Sequence, residues 1–177
     1  MAWKIELITK DHKNHCAAFD CGVDDLNEFL KRWARPNTEK GLSKTFLACD
    51  TVSKEVQGFF TVSTGSVSFD LVPDHETLRL PHYPVPTVHI GRFAIASALQ
   101  NQGLGGVLFV EAMIRVANAA EHVGVYAIDL VAFNEGAKRF YTRRGFTPLK
   151  DNALHLFLPI EAAKQIAAVA GGGHPPN

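Results

Sequence analysis

A glycine-rich turn, QNQGLGG at residues 100–106, separates an apolar run from a long helical pattern. The run VHIGRFAI predicts a strand, and VLFVEAMIRVANAA predicts a helix that starts directly after the turn. Two known phosphate motifs fail, because a dinucleotide fingerprint needs glycine where Leu108 stands and a P-loop needs lysine where Val107 stands. Two interpretations stay open: a tight turn that needs positive φ, or an anion-binding site at the helix N-terminus.

A second strand-to-helix unit follows further along the chain. GVYAIDLVAF at 124–133 is almost wholly apolar and predicts a strand buried on both faces. Asn134 then precedes a short predicted helix at 136–145, which carries Phe140 and Tyr141. In open α/β sheets, ligands bind in a crevice at the carboxyl ends of the strands. The two units together therefore predict one ligand crevice, and the glycine turn favours a ligand with phosphates.

The remaining patterns predict a mixed α/β sheet, an α+β arrangement in a single domain. The predicted strands are 3–8, 43–50, 55–69, 87–95, 124–133 and 153–160, and the predicted helices are 24–34, 103–120, 136–145 and 161–170. Asp24 is expected to cap the first helix and Pro36 to stop it. We expect the domain to span 1–160, followed by a C-terminal helix and flexible tail over 161–177.

Composition predicts a soluble cytoplasmic domain. Of 177 residues, 46% are hydrophobic, and 18 basic residues balance 18 acidic ones. With no net charge, any binding of nucleic acid must depend on local clusters. Neither a signal peptide nor a membrane span is expected, since the chain begins with a mixed WKIEL run and has no long uncharged apolar stretch. Three cysteines without a CxxC pair indicate a reducing compartment, and no metal site is expected.

The turn and the second unit together resemble the GNAT acetyltransferase superfamily. The motifs are QxxGxG after one strand and NxxAxxFYxxxGF after the next. The resemblance implies the GNAT acyl-CoA N-acyltransferase fold, acetyl-CoA as cofactor, and Tyr141 as the acid that protonates the departing thiolate. It implies that the pyrophosphate is held by the amides of Gln100, Asn101, Gln102, Gly103, Leu104, Gly105 and Gly106. It also implies that the pantetheine pairs with Phe93, Ala94 and Ile95, and that Asn134 and Phe140 border its far side.

A finer resemblance extends over almost the whole chain, roughly residues 3–160. FDCGVDDLNEFLKRWA, GLSKTFLACD, YPVPTVHIGRFAI and FYTRRGF are similar to segments of the acetyltransferase toxins of type II toxin–antitoxin systems. This resemblance implies acetylation of the α-amino group of an aminoacyl-tRNA, which blocks translation. It further implies a homodimer and a ribbon-helix-helix-type antitoxin. Two alternatives stay open: an acetyltransferase for a small amine or a protein N-terminus, and a non-catalytic acetyl-CoA-binding module.

Basic residues cluster on both sides of the predicted active site and are candidates for binding tRNA phosphates. They are Lys31, Arg35, Lys44, Arg92, Lys138, Arg139 and Arg143. The alternative interpretation is that they lie on solvated helix faces. No general base is evident: Asp129 lies in a buried predicted strand, and His89 fits a hydrogen-bonded strand residue. An aminoacyl α-amino group, with a pKa near or below about 7.7–8.0, is largely neutral without one.

Overall fold

The computed structural model describes residues 2–171, which form seven strands and seven α-helices. The strands are β1 (Trp3–Leu7), β2 (Lys44–Asp50), β3 (Val56–Val67), β4 (Val85–Ile95), β5 (Ala127–Val131), β6 (Thr147–Pro148) and β7 (His155–Pro159). The helices are α1 (Lys13–Ala18), α2 (Asp24–Glu28), α3 (Ala34–Lys40), α4 (Asp74–Thr77), α5 (Leu104–Ala120), α6 (Glu135–Thr142) and α7 (Ile160–Gly171). None of the described helices is long and apolar enough to span a bilayer. The tail predicted beyond α7, residues 172–177, lies outside the described residues.

The strands form one mixed sheet in the order β1-β2-β3-β4-β5-β7-β6. β4 and β5 are parallel, whereas β1–β2, β2–β3, β5–β7 and β6–β7 are antiparallel pairs. A parallel pair needs a long crossover connection, and the chain between β4 and β5 contains α5. The predicted mixed α/β sheet is therefore confirmed, and the two predicted strand-to-helix units are β4 with α5 and β5 with α6.

The chain divides into two compact units, the first of which consists of Met1–Ser63 and Gly91–Ala112. Its core is rich in aromatic rings. Phe59 of β3 is fully buried, and Phe19 meets it edge-on at 5.5 Å between centroids. Phe29 stacks on Phe59 at 6.3 Å, with 20° between the ring planes. These contacts hold the helical segment that follows α2 against β3.

The second unit consists of Thr64–Ile90 and Met113–Asn177. β5 is buried along its length except at Val131, as its apolar sequence predicts. Its neighbour β7 contributes Phe157, which is fully buried, and α7 buries Ile160 and Ala163. The last predicted helix is confirmed, and it begins one residue earlier than predicted.

The first predicted helix continues past its predicted end. α2 begins at Asp24, passes through a five-residue π-helical turn, Phe29–Trp33, and continues as α3 until Gly41 ends it at φ 75°. The prediction that Pro36 stops the helix is wrong. A proline ring normally clashes with the carbonyl four residues earlier, but the wider π turn just before Pro36 displaces those carbonyls. Asp24 is the first helical residue and does not cap the helix.

Candidate functional site

The glycine turn lies between the end of β4 and the start of α5. A short 3-10 helix, Ser97–Leu99, leads into it, and α5 begins at Leu104. Asn101 and Gly103 have positive φ angles of 60° and 85°. A Cβ at position 103 would meet no described atom within 4 Å, so the backbone conformation, rather than crowding, requires glycine there. The interpretation as a tight turn is confirmed at Gly103.

The start of α5 also meets the physical requirements for an anion-binding site. The first amides of an α-helix lack acceptors within the helix, and the helix dipole is positive at that end. Gly105 and Gly106 place no side chains over these amides, and the first turn carries no acidic residue. Residues 101–103 are exposed. The two interpretations are therefore compatible, because a tight turn can also present open amides to phosphate oxygens.

Gln100 stabilises the turn through its side chain. The side-chain amide donates to the backbone carbonyls of Cys21, at 3.0 Å, and Ile95, at 2.9 Å. The backbone N–H of Gln100 donates to the carbonyl of Ser97 at 3.4 Å. These bonds tie the turn to the end of β4, so the Gln100 side chain fixes the shape of the turn.

The end of β4 is closely packed against β3. A Cβ at Gly58 would lie 2.8 Å from Cδ1 of Ile95 and 3.0 Å from the carbonyl oxygen of Ala94. Glycine at 58 therefore allows the two strands to pack at this distance. The carbonyl of Ile95 already accepts from Gln100. A pantetheine chain that pairs with this strand would therefore use the other backbone groups of 93–95.

Tyr141 lies in the second unit, within α6. Asn134 caps this helix, because its Oδ1 accepts the N–H of Ala137 at 2.9 Å. Tyr141 is 6% exposed, and its ring packs edge-on with Phe140 and Phe146 at 5.1 and 5.5 Å between centroids. Tyr141 therefore has a packing role. Any catalytic role must come from its hydroxyl, because the ring is held in place by its neighbours.

Burial determines what the Tyr141 hydroxyl can do. Desolvation disfavours the phenolate and raises the pKa of Tyr141 well above its ordinary value, although the nearby charge of Arg144 lowers it in part. The hydroxyl therefore stays protonated at cellular pH, where it can donate a hydrogen bond or a proton. Arg144 lies 3.6 Å over the Phe140 ring and donates to the Phe140 carbonyl at 2.7 Å, which holds this part of α6 in place.

The basic residues predicted near α3 are partly engaged by the protein itself. Arg35 contacts Glu39 at 3.5 Å, and Lys44 donates to the backbone carbonyl of Thr38 at 3.2 Å. Lys31 is exposed, in the π-helical turn. The exposed Arg35–Glu39 ion pair is weak, so Arg35 can exchange its partner for a phosphate.

The basic residues predicted near Tyr141 lie on or directly after α6. Arg139 and Arg143 are exposed and one helical turn apart, and Lys138 is half-buried. Within residues 2–171, none of the three has a carboxylate within salt-bridge distance. They therefore present uncompensated positive charge on this helix, which attracts phosphates.

A network of polar side chains in the second unit is centred on Asp129, which is 5% exposed. Its Oδ1 accepts from Oγ1 of Thr87 at 2.7 Å. Its Oδ2 lies 3.0 Å from Nδ1 of His89 and 2.9 Å from Nε2 of His155. Nδ1 of His155 in turn lies 3.1 Å from Oδ2 of Asp151. Both ring nitrogens of His155 face carboxylates, an arrangement that favours the imidazolium, which donates from both nitrogens.

This network argues against Asp129 as a general base. Burial alone would raise the pKa of Asp129, but hydrogen bonds from His89, His155 and Thr87 outweigh it and hold the pKa below its ordinary value. Burial alone would lower the pKa of His155, but its bonds to Asp129 and Asp151 raise the pKa above its ordinary value. The only sequence signal for the network was one acidic residue in an apolar strand.

We expect the free energy of unfolding to depend on the protonation of His155. Because folding raises its pKa, its contribution is complete below the unfolded value of about 6.5 and is lost as pH rises through the folded value. His155→Gln should therefore flatten the decline of stability above about pH 6.5, as measured by urea denaturation. His122→Gln, at an exposed position, is the control. An unchanged pH dependence in His155→Gln would contradict the imidazolium.

Three potential metal ligands lie together in the first unit, although no metal site is expected from the sequence. The ligand atoms of Glu6, His12 and Cys49 are within 4.8 Å of one another. The N–H of Thr9 donates to Nδ1 of His12, so Nε2 carries the ring proton and donates it to Glu6 at 2.9 Å. Burial, followed by the charge of Glu6, raises the pKa of Cys49 to about 11. Protons on two of the three ligand atoms oppose metal binding.

Comparisons with known proteins show the family to which this chain belongs. Residues 25–146 match the acetyltransferase (GNAT) family. The chain is also 30% identical, over 149 residues, to a tRNA-acetylating toxin of Mycobacterium tuberculosis, a match that covers 84% of this chain and 88% of the relative. The chain therefore belongs to the acetyltransferase (GNAT) family, and acetyl-CoA is its acetyl donor.

Solved structures extend the likeness to nearly the whole chain. A tyrosine-to-phenylalanine mutant of KacT has a TM-score of 0.87 and 29% identity, with 94% of this chain and 99% of that chain covered. AtaT complexed with acetyl-methionyl-tRNAfMet has a TM-score of 0.85 and 30% identity, with 93% and 99% covered. A mutant of AtaT has also been solved with acetyl-CoA and the C-terminus of the antitoxin AtaR; its TM-score is 0.78 at 28% identity, with 95% and 99% covered. The similarity therefore includes the segments outside the cofactor motif.

Proposed function

We propose that the protein is a toxin that transfers an acetyl group from acetyl-CoA to the α-amino group of an aminoacyl-tRNA and thereby blocks translation. The observation that carries this proposal is the likeness, over 93% of this chain, to AtaT complexed with acetyl-methionyl-tRNAfMet. The similarity to a tRNA-acetylating toxin over 84% of the chain supports it. A likeness limited to the cofactor motif would support only a general acetyltransferase.

Each residue predicted to bind acetyl-CoA or to act on it receives a role in this proposal. Acetyl-CoA supplies a thioester whose acetyl group passes to the amine. The amides of residues 101–106 hold its pyrophosphate, Gln100 shapes that turn, and residues 93–95 pair with the pantetheine. Tyr141 donates its proton to the departing sulfur, and a β4 amide such as that of Ile95 holds the oxyanion. Asn134 and Phe140 border the pantetheine on the far side.

The acceptor amine needs no dedicated protein base in this mechanism. An α-amino group has a pKa of about 7.7–8.0, and an ester on the same carbon lowers it further, so the amine is largely neutral at cellular pH. Asp129 is held as an anion by its hydrogen-bond donors, and Nδ1 of His89 is engaged with it. In this proposal water takes the proton that the amine loses.

Charge reversal on α6 should weaken the use of tRNA. Each lost phosphate contact lowers affinity and reduces the salt slope, which is the slope of log affinity against log salt concentration. Arg139→Glu with Arg143→Glu should therefore lower the magnitude of the salt slope by about two. The KM for charged tRNA should rise by at least about 10-fold, while the Kd for acetyl-CoA stays unchanged. Arg32→Glu is the control, because Arg32 is exposed and is not among the predicted tRNA-binding residues. An unchanged salt slope would favour a small amine as acceptor.

The same resemblance leads us to propose a homodimer, a ribbon-helix-helix-type antitoxin and a cytoplasmic location. The complex of AtaT with the C-terminus of AtaR supports an antitoxin partner. We also propose that residues 1–160 form the catalytic domain and 161–177 a C-terminal helix and tail. Light scattering of the purified protein tests the dimer, and a monomer at all concentrations would contradict it.

A cell-free translation assay tests the toxin role. With purified protein and acetyl-CoA, synthesis should stop, and excess freshly charged tRNA should restore it once the protein is removed. Reactions without acetyl-CoA, or without the protein, are the controls. Continued synthesis while polyamines or peptide N-termini become acetylated would move the function to a small amine or a protein. Tight acetyl-CoA binding with no transfer to any acceptor would favour a non-catalytic module.

A further inference from the structure

Arg92 of β4, in the first unit, places its guanidinium over an aromatic ring. Its Cζ lies 3.7 Å from the centroid of Phe29. Phe29 is 4% exposed, so its ring is covered, and Arg92 itself remains exposed. A guanidinium over an aromatic face keeps its N–H groups at the edge, where they can still bind a ligand.

Contacts on both sides hold this arginine in one orientation. Phe29 is the first residue of the π-helical turn and stacks on Phe59, which in turn contacts Phe19. Three buried rings therefore support the guanidinium. The backbone N–H of Arg92 donates to Oγ1 of Thr61 at 2.9 Å, which fixes the strand that carries it. Such π-helical turns occur often at functional sites.

Among the described residues, Arg92 lacks an acidic partner, unlike Lys4 and Arg32 of the same unit. Lys4 contacts Glu6 at 2.7 Å, and Arg32 contacts Glu28 at 2.8 Å. Within residues 2–171, no carboxylate lies within salt-bridge distance of Arg92, and burial alone lowers the pKa of its guanidinium. A partly desolvated, oriented and uncompensated cation binds anions more strongly than a fully exposed one.

We propose that Arg92 binds a phosphate of the 3′-terminal nucleotide of the charged tRNA and so positions the aminoacyl group for transfer. This inference rests on the proposed function. The planar fork of arginine matches two oxygens of one phosphate. Arg92 lies three residues before Ile95 on the same strand, about 10 Å away. That span suits one nucleotide together with its attached amino acid.

A phosphate of acetyl-CoA is the competing source of the same chemistry. The proposed pyrophosphate-binding site, residues 101–106, follows Ile95 along the chain, whereas Arg92 precedes Ile95. An extended pantetheine that runs along residues 93–95 would therefore carry the cofactor phosphates away from Arg92. This order favours the RNA phosphate.

Arg92→Met tests the inference, because methionine keeps the Phe29 ring covered and removes the charge. With bulk charged tRNA as acceptor, kcat/KM should fall about 10- to 100-fold. The slope of log kcat/KM against log salt concentration should fall in magnitude by about one. The Kd for acetyl-CoA should not change. Arg92→Lys should keep the salt slope and lose part of the rate, since it keeps the charge without the fork. Arg32→Met is the matched control, and thermal unfolding checks that each variant folds.

The possible outcomes separate this inference from the proposed function. Unchanged kcat/KM and salt slope in Arg92→Met would overturn the inference and leave the tRNA-acetylating function intact. Weaker binding of acetyl-CoA would overturn it in favour of a cofactor phosphate. Wild-type protein that acetylates no charged tRNA would overturn both. Phe29→Leu provides a second arm: it should lower kcat/KM for charged tRNA in the same direction, because the guanidinium loses its platform.

Discussion

Replacing Tyr141 with phenylalanine is expected to lower kcat for acetyl transfer by roughly 10²–10⁴-fold, the range that a general acid contributes. The substitution removes one hydroxyl and keeps the ring that packs against Phe140 and Phe146. Burial keeps this hydroxyl protonated, so its loss takes the proton donor away from the departing thiolate. The Kd for acetyl-CoA should stay within a few-fold of wild type, as measured by calorimetry.

Tyr83→Phe is the matched control for this experiment. Tyr83 is 71% exposed and lies outside the proposed site, so its variant should retain wild-type kcat. Wild-type kcat in Tyr141→Phe would mean that Tyr141 serves packing alone, and it would contradict the assignment. A large loss of thermal stability in Tyr141→Phe would instead point to a structural role of the hydroxyl, because the ring is kept.

Gly105→Glu is expected to abolish acetyl-CoA binding without unfolding the protein. A carboxylate in the first turn of α5 would place a negative charge where the pyrophosphate is proposed to bind. Two like charges placed side by side cost several kcal/mol. The Kd for acetyl-CoA should therefore rise at least about 100-fold. The same carboxylate interacts favourably with the helix dipole, and glutamate suits a helix better than glycine does. The melting temperature should therefore hold or rise.

Two further variants separate charge from bulk in this experiment. Gly105→Gln has nearly the same size without the charge, so its Kd should fall between wild type and Gly105→Glu. Val107→Glu adds the same charge two residues later, at a side chain that is 52% exposed, and should bind acetyl-CoA more tightly than Gly105→Glu. Normal binding of acetyl-CoA by Gly105→Glu would contradict the proposed pyrophosphate-binding site.

Features set by local chain chemistry were predictable from the sequence. The apolar run at 124–133 predicts the strand β5, because a strand buried on both faces needs apolar residues on both, and the run at 87–95 predicts β4. The glycine turn predicts a positive φ, which the structure has at Gly103. The toxin resemblance rests on segments in the front half, and the solved relatives cover that half as well.

Features that depend on tertiary contacts were not predictable. The helix passes Pro36 because a π turn precedes it, and nothing local in FLKRW marks that turn. Gln100 reaches the carbonyl of Cys21, which is distant in sequence. The network around Asp129 joins residues of three strands and the loop before the last of them, so one acidic residue in an apolar strand could not reveal its partners.

The tRNA-acetylating function is tested by the transfer of radiolabelled acetyl from acetyl-CoA to bulk charged tRNA, with uncharged tRNA and polyamines measured alongside. We expect label on charged tRNA alone, and mild alkali should release that label as an N-acetylated amino acid, because alkali cleaves the ester and leaves the amide. The identity of that amino acid then gives the acceptor specificity. Label on polyamines, with none on charged tRNA, would show that the acceptor is a small amine and not an aminoacyl-tRNA.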